Sequence, residues 1–263
     1  MTTIAVLGLG EAGALVAADL VAAGVDVRGF DPVAAAPIGV EACGSEAEAV
    51  TGAELVLSIN TGAVALDVAR EAAVACAPGT IFADLNSTSP ERKREIAAVL
   101  PDGVEFVDGV LMSTVPGKGL YVPMAVSGPG AVGFATVMGR LGAHIELVGD
   151  EVGVAAARKL IRSVFFKGLA AAVTESIAAA RAAGIEAGIR DEIGRELAAA
   201  DAGLIDVLLE GSRTHAARRA QEMESVIALL ETLDVPPRVS TASRDWLRDL
   251  EQRADTPPSI DAL

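Results

Sequence analysis

Ile4-Ala5-Val6-Leu7-Gly8-Leu9-Gly10-Glu11-Ala12-Gly13 is an apolar run of strand length followed at once by a glycine turn, and it opens into the Ala/Leu/Val-rich stretch Ala14 to Ala23. Strand, glycine turn and helix in that order are the setting in which Gly-x-Gly-x-x-Gly signals a dinucleotide site. Gly8 permits the tight turn, Gly10 lets the backbone approach a pyrophosphate, and Gly13 lets the helix pack close to the strand. The free N–H groups and the dipole at the helix start suit phosphate. Gly8, Leu9, Gly10, Glu11, Ala12 and Gly13 are therefore the first cofactor-binding candidates. About twenty residues later, Val25 to Asp31 reads as a second strand ending in an acid. A carboxylate there accepts from ribose hydroxyls and repels a 2′-phosphate, so Asp31 favours NAD over NADP. The alternative is a turn aspartate ahead of Pro32.

Outward from this unit, short apolar runs keep alternating with helical stretches: Leu55 to Ile59, Thr80 to Ala83, Glu105 to Val107, Met124 to Ser127 and Ile145 to Val148. Such alternation predicts a mostly parallel sheet covered on both faces. Helices are expected over Ala63 to Ala75 and Pro90 to Val99, the latter marked by Ser89 as N-cap, a first-turn proline and Glu91. After Gly149-Asp150 the alternation stops. A long apolar-rich helix from Val152 to Ala183 and another from Arg213 to Leu233 follow, so the expected class is α/β: an N-terminal doubly wound Rossmann sheet over residues 1–150, then an all-helical domain over 151–263. The tail Ala254 to Leu263, with Pro257-Pro258, is expected to be loose or draped on a partner.

At 263 residues and 51% hydrophobic residues, the chain can bury a large core without staples. Cys43 and Cys76 are too few for a disulfide framework and suit a reducing compartment. No leader of basic and apolar residues precedes the first strand, and no apolar run reads as long enough to span a bilayer, so a cytoplasmic protein is expected. Lys plus Arg number 21 against 36 Asp plus Glu, a formal charge of −15. That charge argues against nucleic acid or an anionic membrane as partner, and leaves an anionic cofactor to be held by local donors. Two histidines and two cysteines far apart give no metal-ligand spacing, so no metal is expected.

Two polar segments follow strands at the edge where dinucleotide folds bind their ligands. Asn60 and Thr61, in Ser58-Ile59-Asn60-Thr61, either line the cofactor path or cap the helix after them. Asp84-Leu85-Asn86-Ser87-Thr88-Ser89-Pro90 resembles the Asp-x-Ser-Thr-x-x-Pro motif of the β-hydroxyacid dehydrogenases, the family of 6-phosphogluconate dehydrogenase, hydroxyisobutyrate dehydrogenase and tartronate semialdehyde reductase, with one residue added. The resemblance makes Asn86 and Ser87 candidates for ribose or nicotinamide contacts. It continues at Val107 to Gly117, where the family binds the substrate carboxylate; Ser113 and Thr114 are the corresponding candidates, although Thr114-Val115-Pro116 replaces a double glycine.

The same resemblance aligns Lys159, six residues after Gly153, with the family's catalytic lysine. A lysine within Ala/Val/Leu helix is costly to bury, and Arg162 and Ser163 share its face. Arg162 and Ser163 stand where the family has asparagine or histidine followed by asparagine, and Lys167 adds another cation. The two extra positive groups point to a small anionic substrate, the alternative being that they pair with acids such as Glu175 or with neighbours in a dimer. His215 falls where the family has a Lys-Asp pair and is a further substrate-site candidate. The resemblance implies an NAD(P)-dependent oxidoreductase of a less-characterised branch, acting on a small hydroxy acid or its oxo form, with Lys159 as general acid/base, an active site between the domains and a homodimer formed by the helical domain. An imine reductase and a non-catalytic dinucleotide-binding sensor are the alternatives.

Overall fold

The computed structural model describes residues 2–254. In chain order its elements are β1 (Thr3–Leu7), α1 (Glu11–Ala22), β2 (Asp26–Phe30), β3 (Glu41–Ala42), α2 (Glu46–Val50), β4 (Leu55–Ser58), α3 (Ala65–Ala73), β5 (Ile81–Asp84), α4 (Pro90–Val99), β6 (Glu105–Leu111), β7 (Met124–Ser127), α5 (Ala131–Arg140) and β8 (Ile145–Gly149), then the helices α6 (Val154–Ala182), α7 (Glu186–Ala199), α8 (Gly203–Thr214), α9 (Ala216–Thr232) and α10 (Arg238–Ala254). The tail reading from the sequence lies outside the described residues beyond Ala254.

The strands form one sheet in the order β3-β2-β1-β4-β5-β6-β7-β8. β6 and β7 pair antiparallel; every other neighbouring pair is parallel. The chain leaves β1 in one direction through β2 and β3, then returns to start β4 on the other flank of β1. Ligand-binding crevices open at such a reversal, beyond the carboxyl ends of the strands. Here those ends are Leu7, Phe30 and Ser58, so the glycine turn, Asp31 and Asn60 emerge at the same edge.

Alternation along the strands builds a core on each face. Ile4, Val6, Leu55 and Leu57 pack with Val16, Ala17 and Leu20 of α1 and Phe134 and Met138 of α5. Ala5, Leu7, Val56, Phe82 and Phe106 pack on the opposite side with α2, with Ala65, Ala69 and Ala72 of α3, and with Ile96 of α4. The Phe82 and Phe106 rings stack with centroids 6.5 Å apart. Ser89 caps α4 as its sequence implies, accepting from the N–H of Arg92 ahead of Pro90.

The structure divides into two compact units, Met1–Arg162 and Ser163–Leu263. The division falls within α6 because the helix's first turn is anchored to the sheet. Asp108 of β6 accepts from the N–H groups of Gly153 and Ala156, and Ser127 of β7 accepts from that of Ala155.

In the second unit the helix expected from Arg213 to Leu233 is broken at His215, whose φ of −119° and ψ of 25° leave the helical region between α8 and α9. Glu175 of α6 accepts from the backbone N–H groups of Val239 and Ser240 and from the Ser240 hydroxyl, capping α10. Burial raises its carboxyl, but these hydrogen bonds outweigh that and hold it below its ordinary value. α7 and α8 bury no residue at all. α6, with 29 residues and mean hydropathy 1.3 in its most apolar stretch, is long and apolar enough to cross a membrane by length and composition alone.

Candidate active site

Gly8 sits at φ +98°, in the left-handed region, and a Cβ there would stand 2.2 Å from the carbonyl oxygen of Ile59. A Cβ on Gly13 would stand 1.9 Å from the carbonyl oxygen of Gly8, so α1 packs directly on the turn. Gly10 has a different character. Nothing lies within 4 Å of its Cβ position, which leaves its backbone open to a ligand.

Asp31 closes the turn from the next strand. One carboxylate oxygen accepts from the N–H of Leu9 at 2.8 Å; the other accepts from Val33 and Ala34, both at 2.8 Å. Burial raises the Asp31 carboxyl, yet the bonds from Ala34, Val33 and Leu9 outweigh it and hold the group below its ordinary value, hence ionised. Asp31 is thus a turn aspartate, one of the two sequence readings, and it also braces the glycine turn.

A cavity of about 710 Å³ opens over these residues, lined by Gly8, Gly10, Glu11, Ala12, Asp31, Asn60 and Thr61 among others. Glu46, Asp67 and Glu71 also line it, and among the described residues no Lys or Arg does. The Asn60 N–H donates to Oδ1 of Asn86 at 2.6 Å and its amide donates to Ser58 Oγ at 2.9 Å. Its own Oδ1 is buried with no hydrogen-bond partner among the described residues. Buried acceptors of this kind are rare in folded proteins, and this one belongs to a residue of the cavity wall. A glycine backbone open to approach, helix-start N–H groups and an unsatisfied amide fit a dinucleotide. Thr61 does not cap α3 with its side chain; its backbone carbonyl accepts from Val64 and Ala65.

At the end of β5, Lys159 Nζ donates to Ser87 Oγ at 2.6 Å, across 72 residues of sequence. This contact lies wholly within the first unit, and it brings together two residues chosen separately from the sequence. Lys159 is half-buried and Ser87 exposed, so the pair is open to a small molecule. Behind it, the Asn86 amide donates to Asp84, and Asp84 and Asp108 flank the fully buried ammonium of Lys93. Burial pushes the Asp84 carboxyl up, with Lys93 and Asn86 opposing.

The strand end next to β5 carries the second polar turn. Ser113 is half-buried and Thr114 exposed. Lys118 donates from Nζ to Ser113 Oγ at 2.9 Å. Lys118 was not singled out by sequence reasoning, although a cation five residues from a candidate serine on one short loop is a usable signal. The loop is tied down by Asp19 of α1, which accepts from the N–H of Leu120 at 2.8 Å. Arg162 closes the first unit one turn beyond Lys159 on α6. Ser163, Lys167 and His215 belong to the second unit, where Lys167 and His215 are exposed.

Residues 3–111 match the family described as the NAD binding domain of 6-phosphogluconate dehydrogenase, and residues 180–250 match a domain of unknown function, DUF1932. A solved conserved protein of unknown function, described as structurally similar to 3-hydroxyacid dehydrogenases, is 30% identical, covers 96% of this chain and 99% of its own, and superimposes with a TM-score of 0.64. The chain belongs to the β-hydroxyacid dehydrogenase family. Among curated family members, a probable 3-hydroxyisobutyrate dehydrogenase of Mycobacterium tuberculosis is 42% identical over 105 residues, 38% of this chain; the match spans 36% of that protein's length. An imine reductase from Streptomyces aurantiacus shares the fold at a TM-score of 0.79, with 20% identity over 96% of this chain and 95% of its own. Residues 3–111, which include the glycine turn and Asp31, thus match an NAD-binding domain of the 6-phosphogluconate dehydrogenase type.

Proposed function

We propose that this β-hydroxyacid dehydrogenase homologue is an NAD-dependent oxidoreductase that moves a hydride between the nicotinamide and the hydroxyl-bearing carbon of a small hydroxy acid, or its oxo form, with Lys159 as general acid/base. The single observation that carries the proposal is the 2.6 Å contact between Lys159 Nζ and Ser87 Oγ at the carboxyl end of β5. It supports a lysine held by a partner at the sheet edge where the family's nicotinamide chemistry occurs.

A bound dinucleotide supplies the acceptor or donor of the hydride. The chain's own part is the proton. In the oxidising direction the neutral Lys159 amine takes the hydroxyl proton as the carbon loses hydride; in the reducing direction the ammonium returns it to the carbonyl oxygen. Ser87 fixes the direction of Nζ. Ser113, Lys118 and Arg162 supply hydroxyl and positive charge for the substrate's carboxylate. Lys167 and His215, in the second unit, carry no part of this reading.

The cavity's acids argue for NAD. Asp31, Glu11, Glu46, Asp67 and Glu71 line it with no compensating cation among the described residues, and a 2′-phosphate would add negative charge among them. A panel of 2- and 3-hydroxy acids, run with NAD and NADP in parallel, tests both claims. At least one acid reduces NAD, NAD is preferred, and Asp31→Asn narrows that preference. Tight binding without turnover on any acid, alcohol or imine would reduce the protein to a dinucleotide sensor.

The helical domain is proposed to pair with a second copy. Val164, Phe165, Ile205, Val207 and Leu209 are each at least 59% exposed, a set of large apolar side chains that a partner surface would cover. Sedimentation equilibrium should return twice the 26.6 kDa chain mass; a monomer at micromolar concentration rejects the pairing.

A further inference from the structure

Lys93 is one of only four lysines in the chain, and the proposed reaction does not use it. It lies on α4, whose sequence Pro90-Glu91-Arg92-Lys93-Arg94-Glu95 reads as a solvated face, yet it has no exposed surface. Its Nζ donates to the backbone carbonyls of Asp84 at 2.6 Å and Gly109 at 3.0 Å. It also faces Asp84 Oδ2 at 2.6 Å and Asp108 Oδ1 at 3.4 Å.

Each carboxylate has a second engagement, and each leads to one half of the Lys159–Ser87 contact. Asp84 accepts from the amide of Asn86, the residue before Ser87. Asp108 accepts from the N–H groups of Gly153 and Ala156, on the first turn of the helix that carries Lys159. One buried ammonium therefore ties the end of β5 and the end of β6 to the start of α6. Buried ion clusters are weak contributors to net stability, since apolar replacements often do as well, and their best-attested use is to specify one arrangement.

We propose that Lys93 is the positioning residue of this site: by holding Asp84 and Asp108 together it fixes the Ser87 segment against the first turn of α6, and so sets where Lys159 Nζ points. This rests on reading Lys159–Ser87 as the working pair.

The test is competitive acetylation of the whole chain with acetic anhydride at one pH, followed by peptide mass spectrometry of Lys159 relative to Lys167. Lys93→Met alone leaves two buried carboxylates unbalanced and can unfold the protein. Lys93→Met/Asp84→Asn preserves the cluster's net charge, and Asp108→Asn keeps the Lys93–Asp84 pair while removing the charge on the α6 side. In both, with circular dichroism unchanged, Lys159 labelling should rise about fivefold, equivalent to roughly 1 kcal/mol. Ser87→Ala should give the same rise and Lys93→Arg should not. Unchanged Lys159 labelling in the folded variants overturns the proposal and leaves Lys93 a fold element only, because a merely structural lysine would shift melting without moving Lys159 reactivity. An absence of turnover in the hydroxy-acid panel, with the labelling rise intact, refutes the reaction and upholds the positioning.

Discussion

Lys159→Met is expected to bind NAD as the native chain does and to turn over about 10² to 10⁴ times more slowly, the usual worth of a positioned general acid/base. Methionine matches the length of the lysine stem, so the packing of α6 is kept while the proton carrier and the donor to Ser87 are lost. The dinucleotide contacts expected at the glycine turn and Asp31 do not involve this side chain. The loss should therefore appear equally in kcat and kcat/KM, the pattern of an interaction made only in the transition state. Single-turnover hydride transfer with the best acid of the panel, beside NAD titration by fluorescence, separates the two quantities. Turnover within tenfold of native removes Lys159 from the mechanism.

The glycine turn and the acid at the end of β2 were legible in the sequence because their signals are local, a fixed spacing after an apolar run and an acid at the next strand end, whereas Lys159 was singled out by the family resemblance. Much of the fold followed from the same rhythm. What stayed hidden is nonlocal. Lys93 sits among arginines and glutamates, and only pairing with Asp84 and Asp108, on strands 9 and 15 residues away, removes it from solvent. The same pairing explains why β6 runs on to Leu111, beyond the expected Val107: a buried aspartate interrupts the apolar pattern while the antiparallel ladder to β7 continues through it. β3 is two exposed residues and has no pattern to read. The break at His215 has neither proline nor glycine beside it, so periodicity runs straight through.

The chain's acidity sharpens what the turn must do. With a formal charge of −15 and a cavity wall that carries carboxylates and, among the described residues, no cation, attraction of a pyrophosphate there falls to backbone N–H groups and the start of α1. Such donors work by aim rather than by charge, and their aim depends on the closeness of α1 to the turn.

Gly13→Ala and Gly10→Ala should consequently fail in different ways. The new methyl at position 13 would overlap the Gly8 carbonyl oxygen, 1.9 Å away, with the Gly8 carbon 2.9 Å away. Both are backbone atoms, so the helix itself must slide off the turn. Overpacking of this kind costs about 1–3 kcal/mol, a fall in Tm of roughly 2–4 °C for each kcal/mol in a domain of about 150–250 residues. The displaced N–H groups should also raise the Kd for NAD by roughly 10- to 100-fold, or about 1.4–2.8 kcal/mol. Gly10→Ala meets nothing within 4 Å, and at a helix N-cap the exchange of glycine for alanine costs well under about 2 kcal/mol. Its melting should stay near native while its methyl occupies the space through which the pyrophosphate approaches, giving a comparable loss of NAD affinity without the loss of stability. Thermal melts and NAD titrations on the two variants decide the matter: native affinity in folded Gly10→Ala would mean that the phosphates do not lie over this turn.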